Sequence, residues 1–177
     1  NDTIYGSTTS NDTIDSRAGD DWLAGEEGSD VYIYAIGYGN DFINEKQTGT
    51  DKDTLKLVGL MQSDVQFERP SSDLTDIVIR IKSTGETITL DNQFDQEDGV
   101  EKLVFADGST LGGNDWTLDG ILGGLAGIYG TNSAETVTGF ANKDDTIVGR
   151  GGNDTLVGLS GNDVFVFETG FGKDIIA

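Results

Sequence analysis

The sequence predicts an all-β chain in which two blocks of right-handed parallel β-roll (β-helix) flank an inserted antiparallel β meander. Three observations carry that prediction. A nine-residue Gly/Asp unit recurs at both ends of the 177 residues, the second block copies the first, and the stretch between them shifts to short β-branched and aromatic runs separated by turn residues. The expected organisation is a first block over 1–44, an inserted domain over 45–126 and a second block over 127–177.

The small repeat sets the strands. Asp12, Asp21 and Asp30 lie nine apart, and each is followed two residues later by an apolar residue: Ile14, Leu23 and Tyr32. Asp145, Asp154 and Asp163 repeat this with Ile147, Leu156 and Phe165. The register extends, with small slips, to Asp2, Glu135, Asp41 and Asp174. The large repeat is a single constant offset: Asp12, Asp21, Asp30 and Asp41 recur as Asp145, Asp154, Asp163 and Asp174, irregular spacings included. Asn1 maps onto Ala134, inside a nonapeptide, so the expectation is a slice through a longer tandem array.

Gly149 to Val157 reads G-R-G-G-N-D-T-L-V and Gly158 to Val166 reads G-L-S-G-N-D-V-F-V, six turn residues before three strand residues. Glycines permit left-handed backbone in a tight loop, the middle strand residue points inward, and the Asp is expected to face outward where the loop ends. Two nonapeptides make one coil of a flattened solenoid, so every second loop stacks on the same edge at the strand spacing of ~4.8 Å. Stacked Asp side chains would repel one another unless a cation sat between them. Hard oxygen ligands, many of them backbone carbonyls, suit Ca²⁺. The competing reading makes these Asp residues turn formers only, and the strict phase of the repeat argues against it.

These nonapeptides resemble the repeats-in-toxin (RTX) family, whose haemolysin-type pattern is G-G-x-G-x-D-x-U-x. The resemblance implies metal between loops that are two nonapeptides apart, with Asp12, Asp21, Asp30, Asp41, Asp145, Asp154, Asp163 and Asp174 as carboxylate ligands and Gly19, Gly28, Gly152 and Gly161 as loop contributors. The implied pairs are Asp12 with Asp30 and Asp145 with Asp163, then Asp21 with Asp41 and Asp154 with Asp174, then Asp2 with Asp21 and Glu135 with Asp154. The first block departs from the pattern at Ser16-Arg17-Ala18-Gly19 and Gly25-Glu26-Glu27-Gly28, so replacing Asp163 is expected to cost more than replacing Asp12. Glu135 stands where Asp belongs.

In the middle, Thr54 to Val58, Val65 to Glu68, Ile77 to Ile81, Thr87 to Leu90 and Lys102 to Phe105 read as five strands. Ser83-Thr84-Gly85-Glu86 and Asp107-Gly108-Ser109 read as turns. The strands are expected to form a meander packed beside the roll, and Asp115 to cap a short helix from Trp116 to about Leu122. D-T-L-K-L at the start and F-A-D-G-S at the end resemble a domain found with haemolysin-type repeats, for which no activity is implied.

Composition bounds the function. Eleven basic against 32 acidic residues leave a formal charge of −21, which repels nucleic acid and anionic membranes. Without Cys or His there is no thiol, disulfide or imidazole chemistry and no zinc site of the usual kind. Six Ca²⁺ would bring the charge from −21 to −9. Three N-D-T sequences fit the glycosylation pattern but fall on the repeat phase. The Gly-rich turns lack the Lys-Ser/Thr and helix of a phosphate loop. No enzyme is expected. The resemblance implies a calcium-binding structural module of a secreted, extracellular bacterial protein, exported unfolded by a type I system and folding on Ca²⁺. The duplication favours a tandem array in an adhesin, surface layer or filament, with further copies of itself as partners. The alternative is a C-terminal accessory or carbohydrate-binding module of a secreted enzyme, the latter motivated by an insert longer than a spacer requires and by the expectation that Phe67, Phe94 and Phe105 are not all buried.

Overall fold

The computed structural model describes residues 1–45, 51–94, 99–112 and 127–177. The helix expected from Trp116 to Leu122, with its cap Asp115, lies outside the described residues. The described chain is β throughout, apart from one 3-10 turn at Gln62–Asp64. It divides into two compact units, Asn1–Phe67 with Thr75–Leu125 and Glu68–Leu74 with Ala126–Ala177.

In the first unit, β1 (Thr3–Tyr5), β2 (Thr13–Asp15), β3 (Trp22–Ala24), β4 (Val31–Ala35) and β5 (Asp41–Ile43) come from the first block. Odd and even strands go to different sheets, β1, β3 and β5 pairing in parallel in one and β2 with β4 in the other. Two nonapeptides therefore make one coil. The central residues align coil upon coil, Ile4 with Leu23 and Leu23 with Ile43, and Ile14 with Tyr32. Ile14, Leu23, Tyr32 and Ile43 are all buried. The exception to their apolar character is the Tyr32 hydroxyl, which is buried without a hydrogen-bond partner.

All five expected strands of the insert are present: β6 (Thr54–Val58), β7 (Val65–Pro70), β8 (Ile77–Ile81), β9 (Thr87–Leu90) and β10 (Lys102–Val104). A sixth, β11 (Thr110–Gly112), is not expected from the sequence, because a three-residue run ending in Gly has no strand signature. Antiparallel pairing holds for β8 with β9 and for β10 with β11, each joined by its expected turn. The meander packed beside the roll needs correction. β6 adds in parallel to β4, β10 adds in parallel to β6, and β9 adds in parallel to β5. The insert thus continues both sheets edge to edge. The physical reason is that β4 and β5 present rows of unpaired N–H and C=O groups, which another strand satisfies and a face-on meander would not. Leu55 then pairs with Tyr32, and Leu90 with Ile43, extending the same buried ladders.

The second unit is parallel throughout its repeat strands. β12 (Gly127–Tyr129), β14 (Thr146–Val148) and β16 (Val164–Val166) form one sheet, and β13 (Thr136–Thr138), β15 (Thr155–Val157) and β17 (Ile175–Ile176) the other. The insert contributes here too, as Glu68 to Pro70 of β7 pair in parallel with β12. The core is Ile128, Val137, Ile147 and Leu156, with Leu74, Phe140 and Phe165 packed against it. Arg69 lies over the Phe140 ring, and Arg150 bridges Glu68 at 2.8 Å while stacking on Tyr129. Among the described residues no helix is long and apolar enough to cross a membrane.

Candidate metal centre

Four repeat loops share one backbone. Their second residue is left-handed whatever its identity: Arg17 at φ 64°, Glu26 at 69°, Arg150 at 65° and Leu159 at 64°. Their fourth is Gly19, Gly28, Gly152 or Gly161, with φ between 126° and 152°. A side chain at the fourth position would also strike the coil below: a methyl on Gly161 would overlap the Lys143 carbonyl oxygen, and one on Gly28 would stand 2.6 Å from that of Ser10. The glycines that the first block lacks relative to the second fall elsewhere in the loop, at positions 16 and 18, where φ is not positive. Departure from the pattern therefore leaves the loop shape of the first block intact.

The Asp that closes each loop laces it to the preceding coil. Asp30 Oδ1 accepts the N–H of Asp12 at 2.7 Å, and Asp163 Oδ1 that of Asp145 at 3.1 Å. Asp41 accepts from Asp21 at 3.1 Å, and Asp174 from Asp154 at 3.0 Å. Asp21 accepts from Asp2 at 2.5 Å, and Asp154 from Glu135 at 2.9 Å. All six expected pairs are thus stacked neighbours. The residue before this Asp laces the other way: Asn1, Asn11 and Asn153 accept the N–H of Asp20, Ser29 and Lys173 from the following coil.

One oxygen of each carboxylate is spent on this lacing, and the fate of the other defines the centre. Oδ2 of Asp21, Asp30, Asp154 and Asp174 is buried with no hydrogen-bond partner. The expected outward-facing Asp is corrected: Asp21, Asp30, Asp41 and Asp154 are each 3% exposed or less, because the stacked coils close over them. Asp12 Oδ2 instead accepts the N–H of Ser7 at 2.5 Å, and Asp145 Oδ2 that of Phe140 at 2.6 Å. Leaving a buried carboxylate oxygen unpaired is costly unless a cation completes it. The electrostatics agree, since burial pushes the Asp30 carboxyl up and that of Asp41 up to about 6, with Asp12 and Asp21 respectively adding repulsion. Glu135 goes the other way. Partial burial opposes the shift, but hydrogen bonds from Thr131 and the Ser71 hydroxyl, with the Arg150 charge, hold its carboxyl below the usual range.

Backbone carbonyls share the same spaces. A methyl on Gly6 would overlap the Gly25 carbonyl oxygen and stand 2.9 Å from Asp12 Oδ2. One on Gly139 would stand 2.5 Å from Asp145 Oδ2 and 3.1 Å from the Gly158 oxygen, and one on Gly130 2.7 Å from the Gly149 oxygen and 2.9 Å from Glu135 Oε1. These cradles join a carboxylate to the carbonyl of the first loop residue in the next coil. Among the described residues no three acidic side chains are arranged to hold a metal by themselves, so carbonyl oxygens have to complete any site. An all-oxygen donor set of this kind fits Ca²⁺, which would supply the charge that lets the coils stack.

Sequence reasoning missed the carbonyls of Gly25, Gly149 and Gly158, and three carboxylates of the insert. Asp53 Oδ1 accepts the N–H of Asp30 at 2.7 Å, Glu101 Oε2 that of Asp53 at 2.6 Å, and Glu45 Oε1 that of Gly25 at 2.8 Å. The D-T-L-K run that begins at Asp53 carries the nonapeptide phase and could have revealed it, whereas Glu45 and Glu101 have no sequence signature. Tyr32 and Tyr34 are buried, and Tyr38 packs on Tyr34 with ring centroids 5.8 Å apart. Phe67 and Phe105 are in the core and Phe94 is half-buried.

Two family models match the chain. Residues 1–32 and 141–176 match the RTX calcium-binding nonapeptide repeat (4 copies), and residues 76–115 match the haemolysin-type calcium binding protein related domain. No curated protein matches as a relative. The matched segments coincide with the laced loops and with the strands that continue them. Repeats of this kind bind Ca²⁺ and form a structural, non-catalytic kind of module, and the chain carries RTX calcium-binding nonapeptide repeats on either side of a haemolysin-type calcium binding protein related domain.

Proposed function

We propose that this chain is a Ca²⁺-dependent folding module of a secreted extracellular protein, one unit of a tandem array, with metal held between successive coils. The supporting observation is the row of buried carboxylate oxygens without partners at Asp21, Asp30, Asp154 and Asp174, each beside its stacked counterpart. The ligands are the eight repeat aspartates, with carbonyls of loop glycines. Without metal these charges oppose stacking, so the chain stays open at low Ca²⁺, during export, and closes outside the cell. The array reading is supported by the duplication, since Asp12, Asp21, Asp30 and Asp41 recur at one constant offset as Asp145, Asp154, Asp163 and Asp174, irregular spacings included.

Titrating the metal-free protein with Ca²⁺ is expected to raise the β-sheet circular dichroism cooperatively. A spectrum unchanged by exhaustive chelation overturns the proposal. Sequencing the parent gene tests the array separately: further copies at the same offset support it, and a catalytic domain with no further copy replaces it with an accessory role.

A further inference from the structure

We propose that the first unit holds a buried Ca²⁺ site of its own where the first block meets the insert, built on Glu45 and Asp30 over Gly25. Glu45 lies outside every nonapeptide, two residues after β5. It is 1% exposed, its Oε1 accepts the Gly25 N–H at 2.8 Å, and its Oε2 has no hydrogen-bond partner. Asp30 is fully buried, its Oδ1 is laced to Asp12, and its Oδ2 has no partner. The two carboxylates converge on one point: a methyl on Gly25 would overlap Asp30 Oδ2 and stand 2.8 Å from Glu45 Oε1.

Two further acids, Asp53 and Glu101, are buried next in line along the lacing. No basic side chain pairs with Asp30 or Glu45 among the described residues. Burial first, and then the fields of Asp53, Asp30 and Glu101, push the Glu45 carboxyl up to about 9, so without metal a proton must take the place of a cation. Ca²⁺ is the ion that suits carboxylate and carbonyl oxygens at this density of negative charge. A methyl on Gly158, the counterpart of Gly25, would overlap Asp163 Oδ2 in the same way.

The identity of the ion rests on the Ca²⁺ reading of the repeats, and the placement does not. Native mass spectrometry of chelator-stripped protein refilled with Ca²⁺ would compare wild type, Glu45→Gln and Asp163→Ala. Glu45→Gln keeps the Gly25 hydrogen bond and removes the charge. It is expected to bind one Ca²⁺ fewer than wild type, independently of the loss from the second block in Asp163→Ala. Full stoichiometry in Glu45→Gln overturns the proposal. If Asp163→Ala loses an ion while Glu45→Gln does not, the repeat reading survives alone, and if neither does, both fall. Should Glu45→Gln not fold, crystals of the wild type grown with Ca²⁺ decide. An anomalous peak about 2.3–2.6 Å from Glu45 and Asp30 oxygens supports the site, and no peak there overturns it.

Discussion

Asp30 and Asp163 occupy the same place in two copies of one repeat, yet Asp30 is wholly buried and Asp163 is partly exposed. The contrast runs through the whole edge. Tyr34 and Ile43 are 1% and 2% exposed, whereas their counterparts Phe167 and Ile176 are 43% and 55% exposed. Loop backbone does not explain it, since Glu26 and Leu159 share one left-handed angle, as do Arg17 and Arg150. What differs is the next coil. β6 and β9 lie on β4 and β5, while β16 and β17 are the last strands of their sheets. A repeat of this kind encodes the shape of a coil, and its neighbour decides how dry that coil is and how much its carboxylates need a cation.

The largest difference should come from the cores. Leu23→Ala and Leu156→Ala are counterpart truncations, each expected to remove about 2–5 kcal/mol. Among the described residues Leu156 is one of four buried residues in its cluster, whereas Leu23 is stacked between Ile4 and Ile43 in a sheet that the insert continues. Hydrogen exchange in saturating Ca²⁺ should show the second unit losing protection globally in Leu156→Ala, with Leu23→Ala giving a local loss. Equal and local losses in both would contradict the view that the two copies differ in support.

Next come the aspartates themselves. In Ca²⁺ at about 100 times Kd, losing one site costs about 2.7 kcal/mol, so Asp30→Ala and Asp163→Ala should both lower Tm. In chelator, where β-sheet circular dichroism is read in place of Tm, they should part. Removing the buried Asp30 carboxylate, whose Oδ2 has no partner, is expected to leave the residual signal unchanged or raise it, whereas removing Asp163, already partly solvated, should move it little. A fall for Asp30→Ala in chelator would mean that its lacing to Asp12 outweighs its desolvation.

The pH dependence sharpens the contrast further. In the metal-free protein Asp41 is pushed up to about 6 and Glu45 to about 9 by burial, both in the first unit. The folded state then holds protons that the unfolded chain has released. Their stabilising contribution is complete below the ordinary carboxylate pKa of about 4 and is lost as pH rises through 6 and then 9. Circular dichroism in chelator should therefore show β-sheet signal falling between about pH 5 and pH 9, and excess Ca²⁺, which binds the deprotonated carboxylates, should reverse the slope. A β-sheet signal that rises with pH in chelator would show that cations other than the added metal already neutralise these groups.

The smallest effect belongs to Tyr32. Its hydroxyl is buried without a partner, and the counterpart residue is Phe165. Tyr32→Phe removes an unsatisfied group at nearly constant volume, so chemical denaturation should find stability raised by up to ~1 kcal/mol. A loss of more than that would show the hydroxyl to have a partner in solution.

Much of the site was legible because a nine-residue period leaves little freedom. Once Asp12 and Asp30 are placed two nonapeptides apart in a coiled repeat, their stacking follows, as it does for each of the six pairs. The Asp exposure and the insert were misread for one shared reason. Both depend on what lies across a sheet edge, and an edge contact joins residues far apart in sequence, such as Asp53 with Glu101 or Tyr32 with Leu55.

By itself the sequence determined the coil: which residues turn, which point inward, that odd and even strands part into two sheets, and that oxygen-rich loops stack in register. These follow from local backbone chemistry repeated at a constant interval. Only the tertiary structure decided that the insert extends the sheets and seals the first copy of the repeat, and that Glu45 reaches back over Gly25. Those outcomes depend on hydrogen-bonding edges and buried charge being satisfied by distant partners, and no spacing within the chain records which partner arrives.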